Sequence, residues 1–383
     1  MDVISTQPCD IDGNRVAVRP PMAMLAEITH RCPLACPYCS NPLQLSAAST
    51  EINANTWMRV FREAAAIGVL QVHISGGEPA SRRDLEEICA GAREAGLYVN
   101  LITSGVGLTE ARVRALDAAG VDHVQLSVQG VNAAMSDWIG GYRGGFARKM
   151  QAAEWIVAAG LPLTLNAVVH RQNIDDLPQA IAMAEALGAR RIEVATVQFH
   201  GWAELNRPML MPTEAQARTA REVVDAARVR LRGRMVVDYV PADHHARYPK
   251  ACMGGWGSTG LNVTPDGTVL PCHAAQTIPH LSFPNVREAS LAEIWEQSPA
   301  FNAYRGTGWM AEPCASCPRK EVDFGGCRCQ AMRLAGDARA TDPVCILSPL
   351  HAELAARVAA EVAAPEVSGF TWRRMPRPVR EDA

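Results

Sequence analysis

The chain has 383 residues, of which 48% are hydrophobic and 20% charged, and its formal net charge is -3. Such a composition supports one large core plus a smaller second domain; it excludes disorder as the main state and offers no general pull toward nucleic acid. The first residues lack a basic stretch followed by an apolar one, and no later run reaches the ~18 apolar residues of a membrane span, so a cytoplasmic protein without a membrane partner is expected.

From residue 22 to about 200, short β-branched runs alternate with longer helical patterns, which is the signature of successive βα units around a parallel sheet. Strands are predicted at 22–28, 70–75, 98–103, 123–128, 163–169 and 191–197. Helices are predicted at 56–67, 82–95 and 146–159, with Asn55 and Ser81 as N-caps of the first two. Six such units make a partial (β/α)6 TIM-type barrel, and right-handed crossovers gather the C-terminal strand ends on one face. The open side must be covered by the rest of the chain or by a peptide substrate. A long helix follows at 213–231; thereafter Gly and Cys rise, and Pro265-Asp266-Gly267 between apolar runs predicts a β-hairpin over 261–270. From 364 onward Pro and Arg occur without periodicity, which predicts a mobile tail.

Twelve cysteines suit metal better than disulfides in a reducing compartment. Three lie between Cys32 and Cys39 and seven between Cys252 and Cys345; Cys9 and Cys89 stand apart and read as ordinary thiols. In Cys32-x3-Cys36-x2-Cys39, directly after the first strand, three thiolates can hold three irons of a 4Fe-4S cube and leave the fourth without a protein ligand. The methionyl end of S-adenosylmethionine (SAM) can occupy that iron, where an electron from the cluster can cleave a C–S bond. The alternative is a zinc loop, for which His30 is the available fourth ligand.

This loop, followed one βα unit later by Gly76-Gly77-Glu78-Pro79, resembles the radical SAM superfamily. The resemblance implies that Gly76, Gly77, Glu78 and Pro79 contact the SAM amino end, that Ser127 and Gln129 contact its ribose, and that Asn166 reaches its carboxylate. His170, Gln198 and His200 also lie near C-terminal strand ends, but no catalytic base can be chosen among them.

The second group, Cys252-x14-Gly267-x4-Cys272, Cys314-x2-Cys317, Asp323, Cys327-x-Cys329 and Cys345, resembles the SPASM extension of peptide-modifying radical SAM enzymes, which binds two auxiliary clusters. It departs from that pattern by a carboxylate, Asp323, where a thiolate is usual, and by the added Cys329. Mapped onto the family, one cluster takes Cys252, Cys272, Cys327 and Cys329, and the other Cys314, Cys317, Asp323 and Cys345. The competing readings are Asp323 as a solvated loop residue with Cys329 in its place, and a zinc-binding domain. The implied organisation is an N-terminal segment (1–21), the radical SAM partial barrel (22–235), a SPASM domain with a β-hairpin (236–350) and a C-terminal helix and tail (351–383).

Strings such as LTLNAVVHRQNID, VTPDGTVLPCHAA and EVDFGGCRCQA further resemble the peptide cyclases of pyrroloquinoline quinone biosynthesis. That resemblance implies cross-linking of a Glu and a Tyr side chain of the precursor peptide PqqA, presented by the chaperone PqqD. It also implies SAM, one 4Fe-4S radical SAM cluster and two auxiliary clusters (4Fe-4S, 2Fe-2S or one of each) as cofactors, and an electron donor such as a flavodoxin or ferredoxin. Thioether-forming and sulfatase-maturing enzymes share both cluster regions, and a zinc-binding interaction module is the non-enzymatic alternative.

Overall fold

A computed structural model describes residues 18–241, 243–363 and 369–374. Seven parallel strands run in chain order: β1 (Ala23–Thr29), β2 (Gln71–Gly76), β3 (Tyr98–Thr103), β4 (His123–Val128), β5 (Leu163–Val169), β6 (Arg191–Thr196) and β7 (Val236–Val240). Two more, β8 (Gly260–Val263) and β9 (Val269–Leu270), extend the sheet beyond β1, with β8 parallel to β1 and β9 antiparallel to β8. The order β7-β6-β5-β4-β3-β2-β1-β8-β9 is that of an unclosed barrel carrying the expected β-hairpin at its far edge.

The six strands expected from the sequence are all present, and those at 98–103, 123–128 and 163–169 keep their expected bounds. β7 is an addition: Val236, Val237 and Val240 supply β-branched positions, and the strand pairs with β6 from Arg191↔Val236 to Ala195↔Val240. The sheet therefore continues through residue 235, where the sequence reading placed a boundary.

Both expected N-caps are corrected. The first helix, Ala54–Ala66, is capped by Asn53, whose side chain accepts from the Thr56 amide at 2.9 Å, and Asn55 lies inside it. Pro79–Ser81 forms a separate 3-10 turn, so the next helix begins only at Leu85. The helix Glu214–Arg230 opens with a capping box between Thr213 and Gln216.

The main core lies between the sheet and its helices, around Trp57, Phe61, Leu101, Leu126 and Ile192, and it includes Leu261, Val263 and Phe301 from beyond residue 235. A smaller core around Trp256, Leu270, Tyr304 and Cys329 carries the C-terminal cysteines. A third joins Phe199 and Leu210 to the helix His351–Ala363 and to Phe370. There Arg207, 1% exposed, grips Glu361 through two bonds of 2.8 and 2.9 Å. The mobile tail needs correction for its described part, because residues 369–374 pack against the body: the Thr371 amide donates to Asn206 Oδ1 at 2.8 Å, and Asn206 Nδ2 donates back to the Thr371 carbonyl at 2.8 Å.

Candidate active site and iron-sulfur centres

In a barrel strand every second side chain points inward, and the inward positions Leu25 and Glu27 of β1, Gln125 and Ser127 of β4, Asn166 and Val168 of β5, and Glu193 and Ala195 of β6 face one cavity of about 480 Å³. The loop after β1 brings Cys32, Cys36 and Cys39 to the same cavity. Burial, with Cys36 as its neighbour, pushes the Cys32 thiol up to about 12; burial likewise raises Cys36 to about 11 and lifts Cys39. Left alone at neutral pH these thiols stay protonated, so thiolate chemistry here needs a cation that displaces the protons.

The wall beside the start of the loop is built by close backbone approach. A Cβ on Gly76, whose φ is +134°, would lie 2.2 Å from the Thr29 carbonyl oxygen, and one on Gly77 2.4 Å from that of Arg31. Glu78 and Pro79 lie behind this wall and are absent from the cavity lining. The Glu78 carboxylate accepts from Thr103 Oγ1 at 2.7 Å, from the Ser104 amide at 2.6 Å and from the Ala80 amide at 2.9 Å, so its side chain organises the turn. Gly76→Ala should cost about 3 kcal/mol through positive-φ strain and backbone collision. Gly96→Ala, at φ +83° with nothing within 4 Å of the added Cβ, should cost only about 1 kcal/mol. Urea midpoints of the two variants check this; equal midpoints would remove the close-approach argument.

Gln129 donates from Nε2 to Tyr38 Oη at 2.8 Å, leaving its buried Oε1 without a partner, and Asn166 Oδ1 is likewise buried and unpartnered. Ser127 faces the cavity while its carbonyl accepts from Lys149 Nζ at 3.3 Å. Three thiols, a glycine cradle and unsatisfied amide oxygens fit a cluster and a polar, amine-bearing ligand. Of the three groups near strand ends, Gln198 faces the cavity, whereas His170 is buried behind it and pushed down to about 3 by that burial. Neither His170 nor His200 is in the lining. The sequence reading missed Glu27, Tyr38, Glu193, His273 and Arg373, all of which line the cavity. The alternation within β1 and β6 pointed to the two glutamates, whereas nothing local signals the last two.

His273 follows Cys272, and this links the cavity to the second cysteine group. Cys272 Sγ lies 3.8 Å from Cys329 Sγ, and its hydrogen bonds with Cys252 and Cys329 hold its thiol well below the usual range. Cys252 is itself bonded to Cys272 and Cys327, so all four sulfurs of one expected set converge. The other expected set also meets: Cys314, Cys317, Asp323 and Cys345 line one small pocket with Tyr248 and Lys320. Asp323 is 7% exposed; Oδ1 accepts from the Gly325 amide at 3.1 Å and Oδ2 from Arg319 Nε at 3.3 Å. It is therefore not a solvated loop residue. Asp342, fully buried, ties the two sets together by accepting from the Cys327 amide at 2.8 Å and the Val344 amide at 3.1 Å. Cys89 is buried in a helix of the main core, and Cys9 lies outside the described residues. Among the described residues no group of three or more His, Cys, Asp or Glu is placed as a single metal ion requires.

Residues 26–184 match the family model of the radical SAM superfamily, and residues 252–318 match that of the SPASM iron-sulfur cluster-binding domain. The fold is that of Streptococcus suis SuiB bound to S-adenosylmethionine, at a TM-score of 0.72 and 20% identity over 86% of this chain and 78% of that one. It is also that of anSMEcpe with bound AdoMet and the Kp18Cys peptide, at 0.64 and 15% over 89% and 96%. The protein is thus a radical SAM enzyme with a C-terminal iron-sulfur domain, using SAM and iron-sulfur clusters. A protein of Ruegeria pomeroyi named PqqA peptide cyclase is 61% identical over 96% of this chain and 98% of its own length, and one of Rhizobium meliloti with the same name is 62% identical over 96% and 98%. The chain belongs to the PqqA peptide cyclase family. No described helix is long and apolar enough to cross a membrane.

Proposed function

We propose that this enzyme forms a carbon–carbon bond between a Glu and a Tyr side chain of the precursor peptide PqqA, presented by the chaperone PqqD and driven by a small reductant such as a flavodoxin or ferredoxin. The observation that carries this reading is the convergence of the Cys32–Cys39 loop, the glycine cradle and the unsatisfied Gln129 and Asn166 oxygens on one cavity that His273 connects to the Cys272 set. Near-complete coverage of relatives named PqqA peptide cyclase supports the substrate.

In this reading Cys32, Cys36 and Cys39 hold the SAM-cleaving cluster, and when bound it supplies, with SAM and one electron, a 5'-deoxyadenosyl radical. Gly76 and Gly77 admit the amino end of SAM against the backbone, with Glu78 and Pro79 setting that turn from behind. Ser127 and Gln129 face the ribose, and Asn166 would donate from its amide nitrogen to the carboxylate. Cys252, Cys272, Cys327 and Cys329 hold one auxiliary cluster, and Cys314, Cys317, Asp323 and Cys345 the other. The division at about residue 235 into barrel and SPASM regions is functional, since the sheet itself runs across it.

For the peptide, the 5'-deoxyadenosyl radical would take a hydrogen atom from the Glu side chain and become 5'-deoxyadenosine, the carbon radical adds to the Tyr ring, and the adduct loses one electron and one proton to regain aromaticity. A cluster held by the Cys272 set, which adjoins the cavity through His273, would supply an acceptor for that electron. Anaerobic incubation with SAM, dithionite, PqqA and PqqD should yield a peptide lighter by two hydrogens, with fragmentation linking Glu to Tyr. An unaltered peptide, or a link through a Cys as a thioether-forming enzyme would make, overturns the proposal.

A further inference from the structure

The described C-terminal residues 369–374 run against the cysteine loop. Asn206 bridges the two, its Nδ2 donating to the Pro37 carbonyl at 2.9 Å and to that of Thr371 at 2.8 Å. The Arg373 amide donates to the Ala35 carbonyl at 3.2 Å, and its Nη2 donates to the His30 carbonyl. These bonds turn the side chain into the cavity, where it lines the wall with Cys32, Cys36 and Cys39 and lies within hydrogen-bonding reach of Cys39. Arg373 is 4% exposed, and its Nε is buried without a partner.

A guanidinium is always protonated, and a buried charge needs an opposite charge nearby. Among the described residues Arg373 forms no ion pair with a carboxylate; the nearby Glu27 lies 3.9 Å from His30 Nε2 and accepts from Asn262 Nδ2 at 3.2 Å. We propose that Arg373 is the counter-charge of the cluster held by Cys32, Cys36 and Cys39, a positioning residue by which the C-terminal segment makes that cluster easier to reduce. The inference rests on the reading of those three cysteines as cluster ligands. Three thiolates leave the oxidised cluster net negative, and reduction adds one further negative charge in a low-dielectric site. A fixed positive charge in contact stabilises the reduced form more than the oxidised one.

The test is an anaerobic potentiometric titration of the reconstituted holoenzyme, following the electron paramagnetic resonance signal that changes when SAM is added, for wild type, Arg373→Gln and Arg373→Lys. At a fixed poise, Arg373→Gln should lower the ratio of reduced to oxidised cluster roughly tenfold, a shift of about 59 mV for a one-electron couple, toward more negative potential. Arg373→Lys keeps the charge and should restore most of the shift, while the signals of the other clusters stay in place in both variants. Loss of iron in Arg373→Gln but not in Arg373→Lys would support the same counter-charge. An unchanged midpoint in Arg373→Gln, or equal loss of iron in both variants, overturns the inference. The protein with Cys32, Cys36 and Cys39 replaced by Ala, titrated alongside, separates this from failure of the underlying assignment: if it keeps the SAM-responsive signal, the cluster is held elsewhere and this inference falls with that reading.

Discussion

Replacing Cys32, Cys36 and Cys39 together by Ala is expected to abolish SAM cleavage while leaving the iron of the C-terminal cysteines in place. The loop contributes little to the main core: Leu34 and Cys36 pack with Val106 in a small separate cluster, and Cys32 and Cys39 are only partly buried. The triple substitution should therefore cost no more than about 1–2 kcal/mol of stability. The other cysteines stand on elements organised by Trp256, Leu270 and Tyr304, and by the Asp342 bonds to Cys327 and Val344, all of which the three substitutions leave in place. Iron and sulfide analysis should fall by one cluster's share, and 5'-deoxyadenosine production should drop to the uncatalysed background. Retained 5'-deoxyadenosine formation would end the assignment of SAM chemistry to this loop; loss of all iron would show that the two regions do not assemble independently.

Much of the fold could be read along the chain because parallel barrel strands are buried on both faces and announce themselves as short β-branched runs, as in Leu163–Val169. β7 escaped because Val236–Val240 falls where Gly and Cys begin to rise, and its identity as a barrel strand depends on pairing with β6, which no local pattern reveals. The caps failed for a finer reason. Asn53 and Asn55 are equivalent candidates by type, and only the backbone angles at Asn53 let its side chain reach Thr56.

At the site, the thiols and the glycines were legible because their chemistry depends on close spacing. For Glu78 the motif marks the turn, but the four donors from Ala80, Thr103 and Ser104 that hold its carboxylate there could be seen only in the fold. Arg373 and His273 were invisible because each enters from a segment distant in sequence, and aperiodic Pro- and Arg-bearing sequence gives no sign that six of its residues pack. Asp323 lies between these cases. Its position in the cysteine spacing could be read, but its burial and its pocket with Cys314, Cys317 and Cys345 required the fold.

Asp323→Ala should remove one ligand from the cluster of Cys314, Cys317 and Cys345, and so lower its iron content or change its spectroscopic signature. The carboxylate is well placed for that role. The turn Lys320–Asp323 ends at Phe324, whose φ of 50° reverses the chain toward Cys327 and leaves Asp323 facing the pocket. Its two bonds, from the Gly325 amide and Arg319 Nε, orient the carboxylate and leave lone pairs free for iron. Asp323→Cys should keep the cluster with a lower reduction potential, because a thiolate donates more electron density than a carboxylate. In Asp323→Ala peptide cross-linking should fall on the order of 10- to 100-fold, the usual cost of disturbing a metal site. SAM cleavage should fall much less, because it depends on Cys32, Cys36 and Cys39 and the cavity around them. Comparing 5'-deoxyadenosine with cross-linked peptide in the same reactions measures this split. If both variants keep wild-type iron, spectra and cross-linking, Asp323 is not a ligand; the buried carboxylate then serves only to accept from Gly325 and Arg319, and the cluster completes its coordination without it.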